Sequence, residues 1–143
     1  MNIKNYEKEK NKNMERNKKF IEEFKKYLTE QGLVLKTINK HISNIDLYLN
    51  EYLNYYETTK MEDGIYEVDT FFSDWFIRKC MWATKNSIKE TASSIKKFYN
   101  CMQKLEYIKK EDYKQLCEEI KENMEYWLES LKEYDDGTYF DFF

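Results

Sequence analysis

The residue types that most often carry out catalysis are few in this 143-residue chain, and they are scattered along it. His41 is the single histidine, and no Ser or Cys stands at a spacing that pairs it with a general base. The sequence also has no glycine-rich loop of the kind that cradles phosphate groups. We therefore expect a protein that is not an enzyme and needs no cofactor.

Possible metal ligands are present, but their spacing is not that of a metal site. Helical carboxylates ligate metals in bundles when a Glu-x-x-His pair accompanies them, and no such pair occurs. The cysteines include no Cys-x-x-Cys pair, so we interpret them as buried thiols: Cys80, Cys101 and Cys117. The acids near the end of the chain are interpreted as a solvated helix face: Glu111, Glu118, Glu122, Glu125 and Glu129.

Lysines and small polar side chains suggest a different chemistry, the binding of phosphate groups. At 100° per residue, the polar residues of segment 84–104 fall on one side of a helix and the apolar residues on the other. That segment carries five Lys or Arg against one acid. A second set of polar residues, within segment 36–44, lies on the side of its predicted helix opposite Ile38 and Ile42. Together they give ten candidate binding residues: Lys36, Lys40, Asn44, Asn86, Lys89, Ser93, Lys96, Lys97, Asn100 and Lys104.

The composition predicts that these residues stand on helices of a single domain. Proline is absent and glycine occurs three times, which removes most strand and turn signals and leaves helix formers throughout. A chain of this length is large enough to bury one core. Its apolar runs are far shorter than the roughly 20 residues that cross a bilayer, and its first 16 residues lack a signal-peptide core. We expect a cytoplasmic protein without a membrane partner.

Apolar spacing predicts five helices, A to E. Residues 1–14 are almost entirely polar and are expected to form a flexible arm. An acidic surface loop with an Asp63-Gly64 turn is expected between helices B and C. The predicted bounds are 15–31 for helix A, 35–56 for B, 67–82 for C, 84 to about 106 for D, and about 111–134 for E.

The domain is expected to include the end of the chain. Residues 15–108 form the predicted helical domain, and residues 109–143 supply an acidic helix with an aromatic tail packed on the same domain. The tail residues are expected to fold back onto the bundle, with a docking peptide for a protein partner as the alternative. These residues are Tyr139, Phe140, Phe142 and Phe143.

Three motifs occur in a fixed order between residues 18 and 108. They are Phe20-x-x-x-Phe24-x-x-Tyr27-Leu28, Gly32-Leu33-x-x-x-Thr37-Ile38, and Ser87-Ile88 through Ile95-Lys96-Lys97-Phe98-Tyr99. In this order the chain resembles the core-binding domain of tyrosine recombinases and phage integrases. The resemblance implies an all-α, SAM-like orthogonal bundle of about four to five helices that grips one face of duplex DNA. Helices B and D lie near the DNA in that family. Val34 departs from the family, which often has a capping Ser there.

The resemblance does not extend to catalysis. Family members cut and rejoin DNA with a tyrosine, two arginines and a His-x-x-Arg element in a second domain, whereas this chain has only Arg16 and Arg78. His41 is followed by Ile42, Ser43 and Asn44, so the His-x-x-Arg element is absent. The expected function is therefore non-catalytic, salt-dependent DNA binding with weak sequence preference, by a stand-alone core-binding domain.

An alternative follows from the acidic end of the chain. Residues 105–143 carry five Lys or Arg against twelve acids, a charge that repels DNA or covers the basic helix. On that interpretation the chain is a helical protein-protein interaction module, such as a recombinase-derived adaptor, inhibitor or regulator. Its partner would bind the acidic helix or the aromatic tail. A fragment of a longer integrase is a third, less favoured interpretation, because Asp135-Asp136-Gly137 and the aromatic end resemble a terminus.

Overall fold

A computed structural model describes residues 2–137 of the chain, and these residues form six packed helices and no strand. The predicted all-α class is confirmed. Two of the helices contain a π-helical stretch, in which the turn is wider than in an α-helix. The helices are α1 (Ile3–Glu30), α2 (Leu35–Asp46 continued by the π-helical Leu47–Tyr52), α3 (Met61–Gly64), α4 (Val68–Thr70, the π-helical Phe71–Trp75 and Phe76–Lys79), α5 (Lys85–Lys104) and α6 (Lys110–Asp135).

Helix α1 begins at Ile3, so the flexible arm predicted for residues 1–14 is wrong for residues 3–14. Hydrogen bonds from side-chain amides hold this segment in place. The spacing of apolar residues carries no information about such bonds. The Asn13 side-chain amide donates to Asn54 Oδ1 at 2.8 Å and to the backbone carbonyl of Thr59 at 2.9 Å. Asn17 is fully buried one turn later. Because buried amides need partners, these bonds fix the helix against the end of α2.

The end of α1 has the geometry predicted from Gly32. Gly32 adopts a φ of +84°, the left-handed conformation that glycine tolerates best. Its N–H donates to the carbonyl of Thr29 at 3.0 Å, and the N–H of Leu33 donates to the carbonyl of Leu28 at 3.3 Å. This pair of bonds is a Schellman motif, and it satisfies carbonyls that the helix end leaves without partners.

Helix α2 ends earlier than predicted. Its π-helical stretch stops at Tyr52, and the next two tyrosines, Tyr55 and Tyr56, are exposed. The spacing of apolar residues in helix B predicts that Tyr56 lies on its apolar face, and this prediction is wrong. Helix α4 likewise stops at Lys79, short of the predicted end at residue 82, and Trp82 is exposed. The residues that the apolar spacing of helix C places in the core are all buried: Val68, Phe71, Phe72, Trp75, Phe76 and Cys80.

Aromatic rings from α2 and α4 form the centre of the core. Phe71 packs edge-on against Tyr48 at a centroid distance of 4.9 Å and is stacked on Trp75 at 5.7 Å. Tyr52 lies 5.0 Å from Phe71 as well. All four rings are buried, and offset or edge-on pairs of this kind add to the stability that burial alone provides.

The segment predicted as a surface loop with an Asp63-Gly64 turn contains the short helix α3 instead. Gly64 is buried there, and the surrounding side chains leave no room for a Cβ atom. A Cβ atom at this position would lie 2.5 Å from Leu53 Cδ1 and 2.8 Å from the Tyr99 hydroxyl oxygen. That hydroxyl donates to the carbonyl of Met61 at 2.8 Å, so it is not free to move away.

Replacing Gly64 with alanine is expected to destabilise the protein, although alanine favours a helix by about 1 kcal/mol over glycine. Overpacking in a filled core costs about 1–3 kcal/mol, and here it would also disturb the hydrogen bond of Tyr99. Urea unfolding should show a lower midpoint for the variant. The exposed neighbour Glu57 serves as a control, since Glu57→Ala should change the free energy of unfolding by no more than about 0.5 kcal/mol. An unchanged midpoint for Gly64→Ala would contradict the close packing.

Helix α5 starts at the predicted cap. The backbone N–H of Ser87 donates to Thr84 Oγ1 at 3.0 Å, and the N–H of Thr84 donates to Ser87 Oγ at 2.7 Å. Ser87 therefore takes the reciprocal role that a Glu or Gln usually fills in a capping box. The predicted core face of this helix is buried: Ile88, Ala92, Ile95, Phe98, Tyr99 and Met102.

Helix α6 packs its predicted apolar face on α4 and α5. Trp127 is fully buried, its ring lies 4.7 Å from that of Phe72, and its Nε1 donates to Asp69 Oδ1 at 2.8 Å. The predicted aromatic tail, from Tyr139 to Phe143, lies outside the described residues. Within residues 2–137, no helix combines the length and the apolar character that a membrane span requires.

Candidate nucleic-acid interface

Helices α2 and α5 carry the predicted binding residues, and the structure packs these two helices together. Lys40 Nζ lies 3.0 Å from Glu90 Oε1 in an exposed ion pair. Asn44 donates its side-chain amide to Ser94 Oγ at 2.9 Å, and His41 Nδ1 lies 2.7 Å from the same oxygen. The two helices are thus fixed relative to each other by polar contacts between their adjoining sides.

Several of the predicted residues serve these contacts. Asn44 is half-buried between the helices, so the prediction that it faces outward to bind phosphate is wrong. Asn86 donates to Glu90 Oε1 at 3.1 Å, the same carboxylate oxygen that pairs with Lys40. Asn100 donates to the hydroxyl of Tyr27 on α1 at 3.2 Å. The partners of Asn44 and Asn100 lie on other helices and are not apparent from spacing along one helix, whereas Asn86 and Glu90 are four residues apart on α5.

Four other predicted binding residues of α5 form an exposed surface that we name the basic face: Lys89, Ser93, Lys96 and Lys97. Among residues 2–137, none of its three lysines makes an ion pair. Lys36 on α2 is exposed and has no ion-pair partner in that range either. Lys104, by contrast, sits over the ring of Tyr27 at 5.4 Å. A face of unpaired ammonium groups on a rigid helix suits contact with several phosphates.

The exposed acids of α6 lie on the outer side of that helix. At 100° per residue, Glu118, Glu122 and Glu125 lie opposite the buried residues Leu116 and Ile120 of the same helix. All three carboxylates are exposed. No ion pair in the described part of the chain joins an acid of α6 to a lysine of α5. The acidic helix therefore leaves the lysines of the basic face without a direct partner.

His41 lies half-buried at the contact between α2 and α5. Burial lowers its pKa below the ordinary value near 6.5, and the charges of Lys97 and Lys40 lower it further, while Glu90 opposes them. His41 is therefore neutral at pH 7. Lys97, a residue of the basic face, thus contributes to lowering the pKa of His41.

The lowered pKa of His41 predicts how stability depends on pH. Because the folded state binds this proton less tightly than the unfolded state, His41 reduces stability as pH falls below about 6.5. In a His41→Gln variant this contribution is absent. The stability lost between pH 7.5 and pH 5.5, measured by urea unfolding, should be smaller for the variant than for the original protein. An equal loss in both proteins would show that the imidazole has no such role.

Two of the three cysteines are buried thiols that stay protonated at neutral pH. Burial raises the pKa of the thiols of Cys80 and Cys101 to about 11 in each case. Both are buried as predicted, whereas Cys117 is only partly buried. In the described range 2–137, no group of three or more His, Cys, Asp or Glu side chains is arranged to hold a metal ion.

No protein-family model, curated protein or solved structure matches the chain. The resemblance to recombinase core-binding domains accordingly rests on the motifs of residues 18–108. Spacing along one helix does not show that Tyr27 and Glu90 contact predicted binding residues. Each bears on a predicted binding residue, Tyr27 beneath Lys104 and Glu90 beside Lys40. A polar residue on the side of a helix that faces a neighbouring helix is the signal that identifies such partners.

Proposed function

We propose that this protein binds duplex DNA without cutting it, as a SAM-like module resembling a stand-alone recombinase core-binding domain. The observation that carries the proposal is the basic face of α5, where Lys89, Lys96 and Lys97 are exposed and unpaired among residues 2–137. Lysine ammonium groups bind phosphates as point charges, and the rigid helix fixes their relative positions. Lys36 adds one more exposed positive charge, on α2.

The two arginines support a binding mode with weak sequence preference. Arg16 forms an ion pair with Glu62 at 3.0 Å, and Arg78 is held by two hydrogen bonds to Asp74, at 2.8 and 2.9 Å. Neither guanidinium is on α5 or α2, so the basic face has no arginine to make paired hydrogen bonds with guanine. Contacts from lysine to phosphate alone carry no direct sequence information.

Fluorescence anisotropy with labelled random duplexes tests the proposal. We expect binding at low salt that weakens steeply as salt rises and changes little between duplexes of different sequence. A protein that is folded by circular dichroism and yet fails to bind any duplex at low salt would overturn the DNA-binding proposal.

The exposed acids of α6 favour one second candidate function, a helical protein-protein interaction module. Five carboxylates, those of Glu111, Glu118, Glu122, Glu125 and Glu129, are exposed along this helix. A partner with a basic surface would be attracted to them, and charge complementarity mainly raises the rate of such association. If duplex binding is absent, retention of a basic partner protein that is lost on Glu→Gln substitution along α6 would support this second function.

A further inference from the structure

A shallow groove lies on the surface of α2, beside the segment that connects α4 to α5, and an exposed tryptophan lines it. The groove has a volume of about 150 Å³. We name it the Trp82 groove and define it by the residues that line it: Ser43, Asn44, Asp46, Leu47, Glu51 and Trp82. No residue of the basic face is among them, so the groove is a separate surface of the described part of the chain.

A tight turn holds Trp82 at the groove. The N–H of Ala83 donates to the carbonyl of Cys80 at 3.0 Å, which closes a turn with Trp82 at its corner. Cys80 is buried at one end of this turn, and Thr84 caps α5 just after the other end. The Trp82 ring is 55% exposed and packs edge-on against Phe76 at a centroid distance of 5.3 Å. The turn and this ring contact therefore hold the exposed indole in place.

Two carboxylates lie along the same groove. Asp46 and Glu51 are both exposed, and neither forms an ion pair with another residue in the range 2–137. Asp46 Oδ1 accepts a hydrogen bond from Asn50 Nδ2 at 2.7 Å, which orients that carboxylate. Glu51 also lies near the turn, since its charge adds to the burial that raises the pKa of the Cys80 thiol to about 11. The lining residues, all within the described range, include no Lys or Arg to neutralise the two acids.

An exposed indole beside unpaired carboxylates has the chemistry that binds a cation. The face of an indole ring attracts cations more strongly than the rings of Tyr or Phe do. A guanidinium suits both features, because its planar fork makes paired hydrogen bonds with a carboxylate and also stacks on aromatic rings. An ammonium is a compact point charge and lacks that plane. The groove is therefore better suited to arginine than to lysine.

We propose that the Trp82 groove binds an arginine side chain of a partner protein, with the guanidinium against the Trp82 ring and paired with the carboxylates of Asp46 and Glu51. The negative charge of the groove is complementary to a basic peptide segment. Tryptophan and arginine are also among the residues that contribute most to binding at protein interfaces. Met81, the neighbour of Trp82 in the turn, is fully exposed and offers a flexible apolar contact for the rest of the peptide. This interaction does not depend on the proposed DNA binding, because the two surfaces share no residue.

Nuclear magnetic resonance of the indole N–H groups tests the proposal on the full chain. The protein has three tryptophans, of which Trp75 and Trp127 are buried, and a Trp82→Phe variant identifies the third signal. The probe is a short glycine peptide, blocked at both ends, with one arginine at its centre. At low salt it should shift the Trp82 signal to saturation and leave the two buried signals in place. A matched peptide with citrulline, which has a similar shape without the charge, should cause no shift.

Two double variants distinguish this groove from the other acids of the protein. Asp46→Asn combined with Glu51→Gln should weaken binding of the arginine peptide by about tenfold, as expected for the loss of two exposed charge pairs. Glu122→Gln combined with Glu125→Gln removes the same charge from α6 and should leave the affinity unchanged. Circular dichroism confirms that each variant is folded. No shift of the Trp82 signal, equal shifts with the arginine and citrulline peptides, or equal affinity in the two double variants would overturn the proposal.

Discussion

Replacing Trp127 with alanine is expected to lower the free energy of unfolding by about 3–5 kcal/mol, the range for truncating a large buried aromatic side chain. Trp127 is fully buried, its ring centroid lies 4.7 Å from that of Phe72, and its Nε1 donates to Asp69 Oδ1 at 2.8 Å. Natural domains are stable by about 5–15 kcal/mol, so this loss is a large part of the total. Urea unfolding at 25 °C measures it.

The adjacent residue provides the control for this substitution. Tyr126 is 55% exposed on the same helix, and Tyr126→Ala is expected to change the free energy of unfolding by no more than about 0.5 kcal/mol. Trp127→Phe retains most of the apolar surface and loses the bond to Asp69, so its loss should lie between the other two. A loss below about 1 kcal/mol for Trp127→Ala would contradict the packing of α6 on α4.

Substituting glutamine for Lys89, Lys96 and Lys97 together is expected to weaken duplex binding by about tenfold to a hundredfold at low salt. Exposed charge pairs contribute up to about 1 kcal/mol each, and each 1.4 kcal/mol changes affinity tenfold. The three side chains are exposed and unpaired among residues 2–137, so folding stability should change little. Fluorescence anisotropy measures the affinity, and circular dichroism checks the fold.

Two matched variants separate the position of the charges from their number. The lysines at 4, 8 and 12 are exposed near the start of α1, far along that helix from the contact of Tyr27 with α5. Their triple replacement by glutamine removes the same charge and should reduce affinity much less. Arginine at positions 89, 96 and 97 keeps the charge and should retain binding. Equal weakening by the two glutamine variants would contradict a localised basic face.

The sequence was sufficient to predict the class and most of the core. The apolar spacing of Phe71, Phe72 and Trp75 predicted the buried side of α4, and Thr84 correctly marked the start of α5. Both predictions depend on local rules, namely helical periodicity and capping of free amides. Such rules act within a few residues, and they hold wherever burial or capping follows the local pattern.

The failures arose where contacts between distant residues decide the structure. Residues 3–14 are helical because buried asparagines such as Asn13 bond to Asn54, and periodicity of apolar residues does not register that contact. The Asp63-Gly64 pair predicts a turn, yet the small size of Gly64 is needed beside Leu53 and Tyr99. In each case the partner lies more than ten positions away in the sequence.

The predictions for the candidate interface divide in the same way, between those that follow from a local pattern and those that depend on contacts between helices. Exposure of Lys89 and Lys96 follows from their position on an amphipathic helix, which the sequence reveals. The burial of Asn44 against Ser94 requires that α2 and α5 pack on these sides, which neither helix specifies alone. The ion pair of Lys40 with Glu90 depends on the same packing. The spacing of residues along a helix therefore identifies its charged face. It does not identify which side chains of that face have partners on a neighbouring helix.

The salt dependence of duplex binding tests the central claim most directly. Each phosphate that a lysine neutralises contributes about 0.9 to the slope of the logarithm of affinity against the logarithm of salt concentration. If Lys89, Lys96 and Lys97 contact phosphates, their replacement by glutamine should reduce that slope by up to about 2.7. The same slope in the variant and in the original protein, or no duplex binding by the folded original protein, would contradict DNA binding through the basic face.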